Sequence, residues 1–508
     1  MPIGYAVTSL RSSTFLHGLA GATLLALVLF LTNPYFSMLE DETSIIAAAN
    51  ASTSQTLDLF VKGQGQHEHP PLSDVLLHFW LPLAGVSPSL VRLPSIICYS
   101  VALVTFGAAA QKLGGAAAFY STMGFGMLWP FGFHFGRLAG WYSFCFLLVG
   151  LITLSYLYFL EAPGWGRWML VVCISLAAVF SNYFCWLVLA AILIDIFLTL
   201  DRRTAFRYGT VALAIVCIVY GPLWITLARE LLRVDPTSVG HGILGTALNA
   251  IFNLYALFVS ESVAPWVWGL SIPAGIAVGI VLISTPCLLE GRARRFYFGF
   301  AALFGSMAVI GVIGTKRLLF ISGWMLMAVG CALANAKRPR LRALLASSLL
   351  IIVIVGWTGI LSRKYYASLH FLEPWSVLAG EGARNIGGGA VVISNSPSFL
   401  FYLNASLYET GLSAKDRPGW AEGQNVVSLI TSELPENLSA REIMFVRGVN
   451  TSATDRTARA EQWMDSHCRL ESSVRLLHDD GFDLKKRYFH VDIDDPYRIC
   501  VERFDCRH

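Results

Sequence analysis

The sequence predicts a mainly α, polytopic transmembrane helical protein that ends in a small extracytoplasmic α/β domain, and three observations carry that prediction. Of 508 residues, 55% are hydrophobic and only 14% charged, well below the roughly 25% charged content of soluble domains. The apolar residues gather into runs long enough to cross a bilayer. Beyond residue 361 the apolar runs shorten to strand length and charged, polar sequence takes over.

Taken in order, spans are marked off at 14–33, 91–111, 114–131, 137–160, 168–182, 184–200, 208–229, 264–289, 296–314, 317–335 and 343–361, about eleven in all. The first follows Arg11 and has no small-residue cleavage site, which predicts a retained span in place of a removed signal peptide. With the N-terminus in the cytoplasm, alternation puts Arg202, Arg203 and Arg207, then Arg292, Arg294 and Arg295, then Lys337, Arg338, Arg340 and Arg342 on the cytoplasmic side. Three loops then satisfy the excess of basic residues expected there. The net charge of +4 thus speaks to orientation, and no nucleic-acid signature accompanies it.

The same alternation leaves 34–90, 230–263 and 362–508 outside. The chain divides into a membrane module, 1–361, whose first external loop is 34–90, and an external α/β domain, 362–508. Seven of the ten cysteines fall inside predicted spans, at 98, 145, 173, 185, 217, 287 and 331, where a thiol behaves as a small hydrophobe. Cys468, Cys500 and Cys506 lie in the tail, where an oxidising compartment can pair two and leave one free.

In the first loop, Asp41 to about Phe60 reads as a helix with Ile45, Ile46 and Ala49 on one side, and Pro71 to Ala84 as a second. That second helix carries an apolar stripe of Leu72, Leu76, Leu77, Trp80 and Leu81, with Ser73, Asp74 and His78 facing away, as expected of a helix lying in the membrane interface. In the tail, Ala390–Ile393, Ile443–Val446 and Ile499–Val501 read as strands, and the stretches near Glu373–Asn385 and Asp455–His467 as helices. No glycine-rich phosphate loop is present, so nucleotide binding is not expected.

Chemistry-bearing residues cluster at the outer span ends. Asp41-Glu42 follow span one, and a carboxylate there suits a general base that takes a proton from an attacking hydroxyl. The plainer reading is that acids in a first helical turn stabilise the helix through its dipole. His67-Glu68-His69 come next; two histidines and one acid at this spacing are thin for a metal site, and a divalent cation is left open. Arg92, Arg137, Lys316 and Arg317 are external cations in a chain whose basic residues are otherwise mostly cytoplasmic. They suit the grip on a phosphate, or simply snorkel from span ends. Asp74 and His78 read as a surface pair.

The order of these motifs carries a family resemblance. Asp41-Glu42, then His69-Pro70-Pro71-Leu72, then a Leu/Trp-rich helix, then Arg92-Leu93-Pro94-Ser95, then Arg137-Leu138-Ala139-Gly140-Trp141-Tyr142, then Pro222-Leu223-Trp224 and Lys316-Arg317 run from about residue 30 to 335. This series resembles the GT-C glycosyltransferases related to protein O-mannosyltransferases and lipid A aminoarabinose transferases. The resemblance implies that Asp41 is the catalytic base with Glu42 beside it. It implies that His69 contacts the phosphate of a lipid carrier, with Arg137, Lys316, Arg317 and Arg92 as further phosphate ligands and His67, Glu68 and Tyr142 in support. Two departures, Ser181-Asn182-Tyr183 and Lys316-Arg317-Leu318-Leu319-Phe320, stand where relatives carry Thr-His-Tyr and Arg-Tyr-x-x-Pro sequences, so no sugar specificity follows.

What the resemblance implies is an inverting hexosyl or pentosyl transfer without a nucleotide cofactor. A sugar would pass from a polyprenyl-phosphate carrier to a hydroxyl of an envelope lipid, glycan or protein, outside a bacterial plasma membrane. An oligosaccharide ligase or polymerase would place its basic residues in a large later loop, for which 230–263 is short. A flippase for lipid-linked sugars would favour internal repeats and ionisable groups at the bilayer midplane, and a non-catalytic scaffold leaves the ordered motifs unexplained.

Overall fold

A computed structural model describes residues 12–50, 54, 70, 72–225, 242–311, 313–412, 419–421, 423, 425–435, 438, 440–448, 455–483 and 496–506. The chain is a mainly helical multi-pass membrane protein with a small C-terminal sheet. It forms two compact units, one of residues 1–31, 57–73 and 93–367, the other of 32–56, 74–92 and 368–508. The first-loop segments 32–56 and 74–92 thus fold with the tail.

In the first unit, six helical stretches among the described residues are long and apolar enough to cross a membrane: Ser13–Leu31, Pro88–Leu128, Trp141–Glu161, Trp268–Leu288, Thr315–Asn335 and Pro339–Ser362. The count falls below the eleven expected for three physical reasons. Pro88–Leu128 runs for 41 residues, about 60 Å and twice the thickness of the hydrocarbon core. Its backbone leaves helical space at Gly115, with φ 77° and ψ −174°, so it holds the two spans read at 91–111 and 114–131. Trp165–Val179 and Cys185–Thr199 have 15 residues each, about 22 Å. Arg202–Val219 and Gly291–Ile310 each carry three arginines at their N-terminal ends. The segment 230–263, read as an external loop, contains the helix Gly242–Val259.

Side-chain hydrogen bonds cross-link these helices. Trp324 Nε1 donates to Thr153 Oγ1 at 2.8 Å, and Trp129 Nε1 to the Leu257 carbonyl at 2.8 Å. Asp195 accepts from the Tyr156 hydroxyl at 2.7 Å and pairs with Arg295 at 2.9 Å. Gly359 packs so close to the Ser262 carbonyl that any side chain there would collide with it.

In the second unit the tail builds a five-stranded sheet, named here β1 (Val391–Ser394), β2 (Val426–Ser428), β3 (Glu442–Gly448), β4 (Arg469–His478) and β5 (Tyr497–Asp505). The order is β2-β1-β3-β5-β4, parallel across β2, β1 and β3 and antiparallel where β5 joins. One face, with Val392, Met444 and Ile499, packs against Trp375–Gly387 and Pro397–Glu409, while the other, with Ile393, Phe445 and Phe504, packs against Asp455–His467. Cys468 and Cys506 form a disulfide and Cys500 stays a buried thiol, so the pairing left open in the sequence is now specified.

The helix Leu72–Ala84 corrects its predicted orientation. Ser73 and Asp74 are buried whereas Leu76, Phe79 and Leu83 are 47, 64 and 72% exposed. Leu77 and Leu81 are buried as well, at 7 and 1% exposure, so the predicted apolar stripe is split between the two faces. Asp74 is therefore no surface residue, and His78 Nδ1 donates to the Ala49 carbonyl, 2.6 Å away.

Candidate functional site

Within the second unit the acid-bearing segment is built from residue 36 upward. An extended stretch reaches Leu39, whose φ and ψ of −75° and 153° turn the chain into the helix Glu40–Ala49. Glu42 Oε2 accepts the Leu39 N–H at 2.9 Å, half of a capping box. Ile45, Ile46 and Ala49 supply the buried face. Glu40, Asp41 and Glu42 fill the first turn, the end of a helix where negative charge is favoured.

The two neighbouring acids have opposite surroundings. Asp41 is exposed; Glu42 is fully buried and bound by Arg92, itself 1% exposed. Arg92 Nε and Nη2 donate to Glu42 Oε1 and Oε2 at 2.9 and 2.6 Å. Its Nη1 and Nη2 also donate to the Phe36 and Ser37 carbonyls at 2.9 and 2.8 Å. A fork that spends four donations on one carboxylate and two carbonyls acts as an internal brace. Arg92, taken in the sequence as a phosphate ligand, and Glu42, taken as a partner in the chemistry, bind each other in this structure.

In the first unit, Arg137 follows the short helix Pro130–Phe135 and is fully buried. Its Nε donates to the Phe133 carbonyl at 3.0 Å and its guanidinium lies 4.3 Å from the Phe133 ring centre. Tyr142 is buried and packs on Trp141. Lys316 and Arg317 occupy the 3-10 turn Thr315–Leu318, both half-buried, with Arg317 5.9 Å from the Phe184 ring centre. The neighbouring Thr315 hydroxyl donates to Asn253 at 3.1 Å. His67, Glu68 and His69 lie outside the described residues. Among the described residues no group of three or more His, Cys, Asp or Glu is placed to hold a metal.

The sequence missed a polar network beside Arg137. His134 is fully buried; its Nδ1 lies 2.7 Å from the Ser260 hydroxyl and its Nε2 2.8 Å from the Tyr366 hydroxyl. Burial first, then the Arg137 charge, holds the imidazole well below its ordinary value, so it is neutral. Ser260 sits at φ 65°, a left-handed conformation that costs a non-glycine residue roughly 1–2 kcal/mol. A lone histidine in the aromatic run Pro130–Phe135 gave no sign of partners 126 and 232 residues away.

A second missed network lies in the second unit. Glu373 is 5% exposed and accepts from Arg498 Nη2 at 2.7 Å and from Trp375 Nε1 at 2.7 Å. Burial alone would raise the Glu373 pKa, but His370 and Arg498 outweigh it and hold it below the usual value.

No family model matches the chain, and no curated protein matches it. Solved structures that resemble it include ArnT from Cupriavidus metallidurans bound to undecaprenyl phosphate, with a TM-score of 0.40, and the same protein in the apo state, with a TM-score of 0.38. Each is 12% identical in sequence, and each alignment covers 97% of this chain and 98% of the other.

Proposed function

We propose that this chain is a GT-C type transferase that moves a sugar from a polyprenyl-phosphate carrier to a hydroxyl group, on the outer face of a bacterial plasma membrane. The observation that carries the reading is the exposed Asp41 beside a Glu42 already neutralised by Arg92. It stands in a chain whose motifs follow the family order from Asp41 to Arg317.

Asp41 takes the proton from the acceptor hydroxyl as that oxygen attacks the anomeric carbon of the sugar. The bond from that carbon to the phosphate oxygen breaks, polyprenyl phosphate departs with the electron pair, and configuration inverts. His69, Arg137, Lys316 and Arg317 are assigned to the phosphate, where charge-assisted hydrogen bonds stabilise the growing negative charge. Glu42 and Arg92 set the local structure around the base. The acceptor class is an envelope lipid, glycan or protein.

The reading is tested by reconstituting purified protein with radiolabelled polyprenyl-phosphate sugars and an envelope extract. Transfer of label into an extractable lipid, glycan or protein fraction is expected. Label that only crosses the bilayer, still attached to its carrier, would instead indicate a flippase.

A further inference from the structure

The extended stretch ahead of Asp41 is held by the tail as well as by Arg92. The Ser37 N–H donates to the Phe371 carbonyl at 3.3 Å, the Ser37 hydroxyl donates to the Glu373 carbonyl, and the Met38 N–H donates to the Tyr402 hydroxyl at 3.1 Å. Phe371 and Met38 are buried at 2% and 0% exposure. Glu373 is fixed in turn by Arg498, a residue of β5. A continuous set of hydrogen bonds therefore runs from the central part of the sheet to the backbone three residues before the proposed base. On the opposite end of Glu40–Ala49, His78 holds the Ala49 carbonyl.

The geometry points to a positioning role for the tail in the transfer step: Tyr402 and the Arg498–Glu373 pair clasp residues 37–38 and so fix the direction of the Asp41 carboxylate. This rests on the reading of Asp41 as the base. None of the clasp residues is assigned to touch substrate. Their effect runs through the two backbone N–H groups and one hydroxyl that set the entry angle of the helix. Misplacing a catalytic group by about 1 Å costs on the order of a hundredfold in rate, whereas binding of the carrier phosphate does not depend on that angle. The clasp should therefore act on kcat and leave the donor KM alone.

Tyr402→Phe removes one hydrogen-bond acceptor and keeps the ring. Amide exchange of the 36–43 region and steady-state transfer are measured on the full-length protein. Tyr408→Phe serves as the control, because Tyr408 lies on the same helix, Pro397–Glu409, and is 44% exposed. The expected result is faster exchange at Met38, a kcat reduced roughly tenfold, an unchanged donor KM, and no change in Tyr408→Phe. Unchanged exchange overturns the clasp. Faster exchange with unchanged kcat, or a rise in KM alone, overturns the positioning role. A wild type that transfers from no lipid-phosphate sugar overturns the functional reading together with the positioning role, and exchange then separates that result from failure of the clasp itself.

Discussion

Arg92 grips Glu42 through two hydrogen bonds of 2.9 and 2.6 Å, with both side chains sealed from solvent. The two residues are 50 positions apart in sequence, and their union leaves Asp41 as the exposed acid of the pair.

Breaking that union should be costly. Glu42→Leu or Arg92→Met alone leaves a buried charge without its counterpart and is expected to destabilise the protein by about 3–5 kcal/mol. The double variant removes both charges and should recover much of the loss. Thermal unfolding in detergent measures all three; a double variant that loses the sum of the two single losses would mean that the pair is not coupled.

The Cys468–Cys506 bridge closes a loop with a sequence separation of 38, for which chain entropy gives about 4 kcal/mol of stabilisation. Alkylation of the unfolded, unreduced protein should label eight cysteines, the number left free. Cys468→Ser with Cys506→Ser should lower the stability of the tail. Ten alkylated cysteines in protein isolated from the membrane would contradict the pairing.

His134 gives a pH dependence of known sign. The folded protein keeps it neutral well below 6.5, while the unfolded chain takes up a proton as pH falls through about 6.5. Between those values the unfolded state binds more protons, so the stability contributed is full above about pH 6.5 and falls below it by up to ~1.4 kcal/mol per pH unit. Melting curves from about pH 7.5 down to 5 should show this loss, and His134→Gln should flatten it. An identical slope in the variant would assign the loss to other groups.

Topology is open to a direct check. Ala336 and Ser368 flank the span Pro339–Ser362, so reporter fusions at the two positions should report opposite sides, with Ser368 outside. Ser368 in the cytoplasm would remove the outer-face reading of the tail.

Much of the architecture was legible because its signals are local. The helix Asp455–His467 and the strands at 391, 443 and 499 follow from short runs with clear boundaries. β4 escaped notice because Arg469–His478 is exposed on both faces and shows no alternation. The stripe read on Leu72–Ala84 is split, with Leu77 and Leu81 buried and Leu76 exposed, because packing against the rest of the protein, not periodicity, selects the buried face. Motif order drew attention to Asp41 in one unit and Arg137 in the other, but the contacts around each were not legible. Ser37 to Glu373 spans 336 positions and His134 to Tyr366 spans 232, and no periodicity in sequence encodes such pairings.

The most direct measurement of the central claim is single-turnover transfer from a labelled polyprenyl-phosphate sugar by wild type and by Asp41→Asn of equal thermal stability and equal affinity for the carrier. The account predicts that Asn, unable to accept the proton, slows the chemical step by roughly a hundredfold or more while binding is retained. Turnover at the wild-type rate would show that the carboxylate of Asp41 is not the base.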